Sequence, residues 1–326
     1  MPMPPRGGID LGGTKIQAVI AGPRNGVLGQ ARRPTPTSGG PSRVVAAIVA
    51  TLNDAAKSAG IEVSALQRVG VGSPGTVDPE SGSVAHADNL PGWSRTYPLR
   101  SKLQEKLGVP VAVGNDVSVA TEAEFRLGAG RPYQSLLSVF WGTGVGGGLI
   151  LGGHPWHGRG GAGEIGHMVI KRGGARCPCG RRGCMEAYAG RAAMERRARK
   201  RHAKGQKTAL MKIMRERGRT RMTSGVWARA LERDDELAIE LVDRAVEALG
   251  AGIASAINLL DVEAVIIGGG LGSRLGEPYR QRIAEAMQPH LFNDQRPPDV
   301  HLAELGDLSG ALGASLLPAP PMLVAA

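Results

Sequence analysis

The sequence predicts an α/β protein of two similarly built lobes, and three observations carry that prediction. The chain has 326 residues, enough for two hydrophobic cores of ordinary size. Apolar runs of strand length alternate with apolar stripes at helical spacing. Two strand pairs, one around Asp10–Lys15 and one around Gly142–Gly148, are joined by the same kind of Gly/Thr turn. A motif that occurs twice points to internal duplication, not to a solenoid.

The first lobe opens with a meander. A strand ends at Asp10, Ile16–Ala21 continues after the turn, and Val27–Arg33 follows the Gly22–Asn25 turn. Val45, Ile48, Val49 and Leu52 then mark a helix over Ser42–Ser58. The spacing predicts a strand over Gln67–Gly72, a short helix over Pro98–Leu107, a strand over Val109–Val113 and a helix over Val117–Leu127. The second lobe starts with Ser135–Trp141, a glycine turn and a returning strand at Leu149–Leu151. Leu237, Leu241, Val242, Ala245, Leu249 and Ile253 form one face of a long helix over Asp234–Leu260. Glu263–Ile267 reads as a strand running into a glycine loop, Gly268–Gly272. A helix over Pro278–Met287, a strand over Val300–Leu302 and a closing helix over Leu308–Leu317 complete the chain, with a frayed Pro/Ala tail expected beyond.

Composition removes several function classes. The 49 glycines are not periodic, which excludes collagen-like and repeat readings; they sit in short loops where backbone can approach a ligand. No apolar run reaches the roughly 20 residues of a membrane helix, and Met1–Gly8 lacks the apolar run of a signal peptide. Three closely spaced cysteines suit a metal better than disulfides, so a reducing, cytoplasmic setting is expected. The net charge of +11 raises a nucleic-acid reading. However, Arg191–Arg221 alone holds thirteen Lys/Arg against two acidic residues, so the rest of the chain is near neutral. That segment is either a solvated helix face or a contact for a polyanion.

Four constellations carry chemistry. Gly70–Gly75 and Gly142–Gly147 both satisfy G-x-G-x-x-G, but a dinucleotide loop must open a helix; Pro74 and Pro79 deny that to the first, and a strand follows the second. No GxxxxGK[ST] occurs. Asp10-Leu11-Gly12-Gly13-Thr14-Lys15 and Gly142-Thr143-Gly144 nevertheless share a logic: small residues let backbone N–H groups converge on phosphate oxygens, and threonine adds a hydroxyl donor. Asp10 at a strand end suits a magnesium ion held through water. The competing reading is a pair of tight hairpins. Asn115-Asp116 lies at a strand-to-helix junction, where ligands bind in α/β sheets and where Asn and Asp also cap helices; an aspartate there can take a proton from a substrate hydroxyl. Finally, His167, Cys177, Cys179 and Cys184 make a complete tetrahedral donor set for structural zinc. Glu164 and Glu186 flank it, either facing a polar ligand or idling beside Arg181 and Arg182.

Taken together, these motifs resemble the ROK family of bacterial sugar kinases and repressors, in the actin-like ATPase and sugar kinase superfamily. Asp10–Lys15 looks like the family's first phosphate loop, Trp141–Gly148 its second, Ala162–His167 with Cys177–Glu186 its signature and zinc loop, and Ile266–Gly270 its adenosine-side loop. Ala189-Gly190 stands where many relatives have Ser-Gly.

The resemblance implies a two-lobed actin-like ATPase/sugar kinase fold with duplicated βββαβαβα-type lobes and a cleft active site. Residues 1–116 would form the smaller lobe, with a C-terminal helix near 308–326 packing back on it; 117–307 would form the larger one, with the zinc loop at 167–184. It implies ATP and Mg2+ at Asp10, Gly12, Gly13, Thr14, Lys15, Gly142, Thr143, Gly144, Gly268, Gly269 and Gly270. Asp116 would be the general base for a hexose 6-hydroxyl, and Gly75, Asn89, Asn115, Glu164, His167 and Glu186 would hold the sugar. Glucose is the first expected substrate. N-acetylglucosamine, N-acetylmannosamine, mannose, fructose and allose are alternatives, and homodimers or homotetramers are usual in the family; the basic Arg191–Arg221 run separately suggests polyphosphate as an alternative donor. Only nine residues precede Asp10, too few for the helix-turn-helix domain of the family's repressors, so a kinase without nucleic acid or membrane partners is expected.

Overall fold

The computed structural model describes residues 4–87, 90–93 and 95–318. It divides into two compact units: Met1–Gly128 with His157–Gly160 and Asp307–Ala326, and Ala129–Trp156 with Gly161–Gly306.

In the first unit, β1 (Arg6–Leu11), β2 (Lys15–Ala21) and β3 (Val27–Pro34) form the antiparallel meander that the sequence predicts. Helix α1 (Gly40–Ser58) carries Pro41 in its first turn, where the missing N–H costs nothing. It buries Val45, Ile48 and Leu52 with Ile9, Ile16 and Val71. Next come β4 (Val69–Ser73), the short hairpin β5 (Thr76–Val77) and β6 (Val84–Ala85), then α2 (Leu99–Leu107), β7 (Val111–Asn115) and α3 (Asp116–Leu127). The sheet order is β3-β2-β1-β4-β7, with β1, β4 and β7 parallel.

In the second unit, β8 (Leu136–Trp141) turns back as β9 (Val145–Leu151), longer than the predicted Leu149–Leu151 because Val145 pairs with Trp141 immediately after the turn. Strand β10 (His154–Pro155) borders it, and after the Cys177–Cys184 loop come α4 (Glu186–Ala189), α5 (Arg191–His202), α6 (Leu210–Glu216) and α7 (Ser224–Leu231). Helix α8 (Glu236–Leu260) starts on an Asp235 cap, whose carboxylate accepts from the Ala238 amide at 2.8 Å, and buries the predicted stripe. Then follow β11 (Ala264–Gly268), α9 (Gly269–Leu275), α10 (Glu277–Met287) and β12 (Asp299–Leu302). Gly268–Gly272, expected as a loop, is instead the end of β11 at Gly268 and the start of α9 from Gly269. The sheet order is β10-β9-β8-β11-β12, with β8, β11 and β12 parallel. The two sheets thus repeat one pattern: an antiparallel meander extended by two parallel strands.

The last helix, α11 (Ser309–Leu316), belongs to the first unit and lies on the sheet face opposite α1. A Cβ on Gly70 would sit 1.7 Å from the Ala314 carbonyl oxygen, and one on Gly8 1.9 Å from that of Ala311. The strands therefore carry glycine where helix backbone rests directly on them. Helix α3 shares this face: a Cβ on Gly313 would come 1.8 Å from the Val119 carbonyl oxygen. For that reason the first unit continues through α3 to Gly128, beyond the residue 116 boundary read from the sequence.

Candidate active site

In the first unit, parallel pairing sets Asp10 opposite Gly72 and Gly72 opposite Gly114, so Asp10 and the Asn115-Asp116 junction stand at the same edge of the sheet. This edge, at the carboxyl ends of parallel strands, is where α/β folds bind ligands. The 12–14 turn is closed by the Gly12 amide donating to the Lys15 carbonyl at 2.9 Å. Thr35 holds the turn from β3's end: its hydroxyl donates to the Gly12 carbonyl at 2.6 Å and its amide to that of Thr14 at 3.2 Å. Lys15 Nζ lies 3.1 Å from Asp307. Thr35 and Asp307 have no mark in the sequence, because each reaches this turn only through the tertiary fold.

Asp10 is the perturbed group of this edge. Burial pushes its pKa up to about 6, and the Asp116 carboxylate adds to the push against the pull of Lys15. Helix α11 contributes to the cover, since a Cβ on Gly310 would lie 2.8 Å from Asp10 Cγ. Asp116 is the first residue of α3, and Asn115 is the cap: its side-chain oxygen accepts from the amides of Val117 and Ser118, both at 3.1 Å. That oxygen is therefore engaged, and the Asn115 amide nitrogen, 3.5 Å from the Gly75 carbonyl, is the group left to meet a ligand. Gly75 has φ +86°, which favours glycine. Asn89 lies outside the described residues.

In the second unit, the fold brings both glycine stretches together. The nearest outside atom to a Cβ on Gly142 would be the Gly270 amide nitrogen, at 3.9 Å. Gly269 has φ +80°, and a Cβ there would lie 2.7 Å from Trp141 backbone. The 142–144 turn is fastened to the chain after the Cys177–Cys184 loop: the amides of Arg191 and Ala192 donate to the carbonyls of Gly142 and Thr143 at 3.1 and 3.0 Å. Arg191 was missed from the sequence; its guanidinium donates to Thr143 Oγ1 at 2.7 Å and to the Met222 carbonyl at 2.6 Å. Nothing in a run of thirteen cations distinguishes it. Glu186 Oε2 accepts from the Val145 amide at 3.0 Å, and a Cβ on Gly144 would fall 2.1 Å from it.

His167, Cys177, Cys179 and Cys184 converge as the sequence predicts, with one ligand atom from each lying within 4.8 Å of all the others. His167 Nδ1 is 3.7 Å from Cys177 Sγ, and Cys179 and Cys184 Sγ are also 3.7 Å apart. Three thiols and an imidazole at these separations fit one four-coordinate ion with no open position. The other imidazole nitrogen, Nε2, faces Glu164 at 3.9 Å, and Glu186 Oε1 is 3.9 Å from Cys177 Sγ. Glu186 thus joins the thiol cluster to the glycine turn, and neither flanking glutamate is remote from it.

Known proteins resemble the chain over almost its full length. The ROK family model matches residues 6–319. A glucokinase of Thermotoga maritima is 32% identical over 316 residues, covering 94% of this chain and 95% of that protein. A ROK family glucokinase from Streptomyces griseus, solved in complex with glucose and AMPPNP, superposes with a TM-score of 0.81 at 31% identity, over 95% of this chain and 98% of that one. The ROK hexokinase from Thermus thermophilus gives 0.77 at 34% identity, over 96% and 97%. With motifs, sheet order and alignment in agreement over almost its full length, the chain belongs to the ROK family.

Proposed function

We propose that the chain is an ATP-dependent hexose kinase acting on the 6-hydroxyl, with glucose as its first substrate. The observation that carries this reading is the placement of two carboxyl groups, Asp10 and Asp116, at one sheet edge beside the Gly12–Thr14 turn. Their roles differ. Asp116, at the N-terminus of α3, takes the hydroxyl proton as the sugar oxygen bonds to the γ-phosphorus and the bond to the β,γ-bridging oxygen breaks, releasing ADP. Asp10 would hold the magnesium ion of the nucleotide through water, and that ion would supply charge neutralisation on the phosphates. Gly12, Gly13, Thr14, Lys15, Gly142, Thr143 and Gly144 bind phosphate oxygens, and Gly268, Gly269 and Gly270 approach the nucleoside.

The amide of Asn115, with Gly75, Asn89, Glu164, His167 and Glu186, orients the other sugar hydroxyls. A sugar lacking one of these hydroxyls leaves an acceptor unpaired and is selected against. Zinc on His167, Cys177, Cys179 and Cys184 is structural and fixes the Glu164–Glu186 segment. The setting is cytoplasmic and the assembly a homodimer or homotetramer. The site assignments rest on the donor geometry within each unit and on the resemblance to kinases of the family; the setting and assembly rest on that resemblance alone.

A coupled ADP assay with Mg-ATP over glucose, mannose, fructose, allose, N-acetylglucosamine and N-acetylmannosamine tests the reading. Sugar-dependent ADP release with highest kcat/KM for glucose is expected. Sugar binding with no turnover on any hexose would make the chain a sugar sensor and overturn the assignment.

A further inference from the structure

The basic segment that the kinase reading leaves unused separates into two parts. One part is neutralised inside the fold. Glu195, buried at 4% exposure, accepts from Arg199 at 2.8 and 2.9 Å, from Arg221 at 3.3 Å and from the Met222 amide at 3.1 Å. Burial alone would raise the Glu195 pKa; these donors outweigh it and hold the carboxylate below its usual range.

The other part gathers around a concavity of about 620 Å³ between α5, α8 and the zinc-loop chain. Arg196, Arg197, Lys200, Arg201 and Lys204 come from α5 and its C-terminal end, Arg244 from α8 and Arg176 from beside Cys177. No carboxylate lines it among the described residues, and of these cations only Arg201 forms an ion pair, with Glu240 just outside. The floor is rigid. Tyr188, 7% exposed, accepts from the Ala175 amide at 2.8 Å, and the Arg244 guanidinium lies 4.9 Å above its ring. Burial, then the neighbouring Arg244 and Arg201, lower the Arg197 pKa, so the cations are crowded as well as close.

Seven cations, of which Arg201 is paired with Glu240, converge on one hollow, and an anion within it would relieve their mutual repulsion. We infer that this hollow is a binding site for a compact multivalent phosphate anion, separate from the glycine turns. Its size is that of a small-molecule pocket, and guanidinium forks match phosphate oxygens in pairs. An extended nucleic acid would need a basic track. Here the cations converge, and the rest of the segment is partly neutralised by Glu195 and Glu216. The site does not depend on the kinase assignment.

Calorimetric titration of the full zinc-loaded chain with inorganic tripolyphosphate tests it. One site per chain is expected at low ionic strength, weakening as salt rises. The double variant Arg197→Gln/Lys200→Gln should bind at least about tenfold more weakly, the size expected from removing charge-assisted hydrogen bonds. Its sugar-dependent ADP release should equal that of the parent, because neither residue belongs to the phosphate turns or the sugar set. The single variant Lys204→Gln at the rim guards against misfolding and should weaken binding by a smaller factor. Equal tripolyphosphate affinity in parent and both variants would overturn the site, as would tighter binding of double-stranded DNA than of tripolyphosphate through the same residues. A parent that binds tripolyphosphate without any kinase activity would leave this site standing and remove only the kinase reading.

Discussion

Asp10→Asn should stabilise the ligand-free protein while removing its activity. In the folded chain the Asp10 carboxyl is pushed up to about 6, chiefly by burial and then by Asp116. An unfolded aspartate titrates near 3.9, so between these values the native state holds a proton that the unfolded state has released. Stability is therefore fully present below the unfolded pKa and is lost as pH rises through the folded one. The shift of about two units corresponds to roughly 3 kcal/mol at full ionisation. Asparagine keeps the shape and never ionises. The variant should thus match the parent near about pH 4 and exceed it by about 1–3 kcal/mol at about pH 8, with the gap opening mostly between. Urea unfolding with no metal or nucleotide, followed by circular dichroism at several pH values, reads this directly. A variant no more stable than the parent at the alkaline end, or a gap that does not change with pH, would refute the reasoning. Turnover with Mg-ATP should fall sharply in the same variant, because the group that burdens the empty fold is the one proposed to hold the ion.

Three further outcomes are expected. Asp116→Asn should reduce kcat at least about a hundredfold, within the range that general-base loss produces, with sugar affinity by calorimetry little changed; normal turnover would end its assignment as base. Cys179→Ser should lose zinc by elemental analysis and lower the melting temperature, and a parent-like metal content would remove Cys179 from the donor set. Gly70→Ala places a methyl 1.7 Å from the Ala314 carbonyl oxygen; because the obstacle is helix backbone, α11 must move, at a cost of about 3 kcal/mol or more, and an unchanged urea midpoint would show that α11 is not seated on β4 as described.

Much of the fold was legible because it rests on local rules. Apolar runs of strand length between turns located β1 through β4, helical stripes located α1 and α8, and their boundaries shifted by only one or two residues. The returning strand β9 was read too short because Gly146, Gly147 and Gly148 conceal its alternation. The glycines of β11's end were read as a loop because glycine weakens a helix, yet Gly269 and Gly270 open α9 where backbone must pass close to Trp141. The Asn115-Asp116 junction was located, but not the division of labour within it. Which residue caps depends on side-chain directions, and the cap consumes the Asn115 oxygen.

By itself, then, the sequence determined the element order, the duplicated strand pattern, the two glycine turns and the clustering of His167 with the three cysteines. Each of these is written in short-range spacing, either as period, as glycine placement or as ligand interval. Tertiary structure alone decided what surrounds them. It seated α11 backbone directly on Gly8 and Gly70 and over Asp10, where the family resemblance implied only that a C-terminal helix packs on this lobe; it also brought Thr35 and Asp307 to the 12–14 turn, and fastened Arg191 to Thr143. It also divided one run of cations into a neutralised cage at Glu195 and an open basic hollow. The physical reason is common to all four: the energy of a charge or a close contact depends on what faces it, and those partners lie far along the chain.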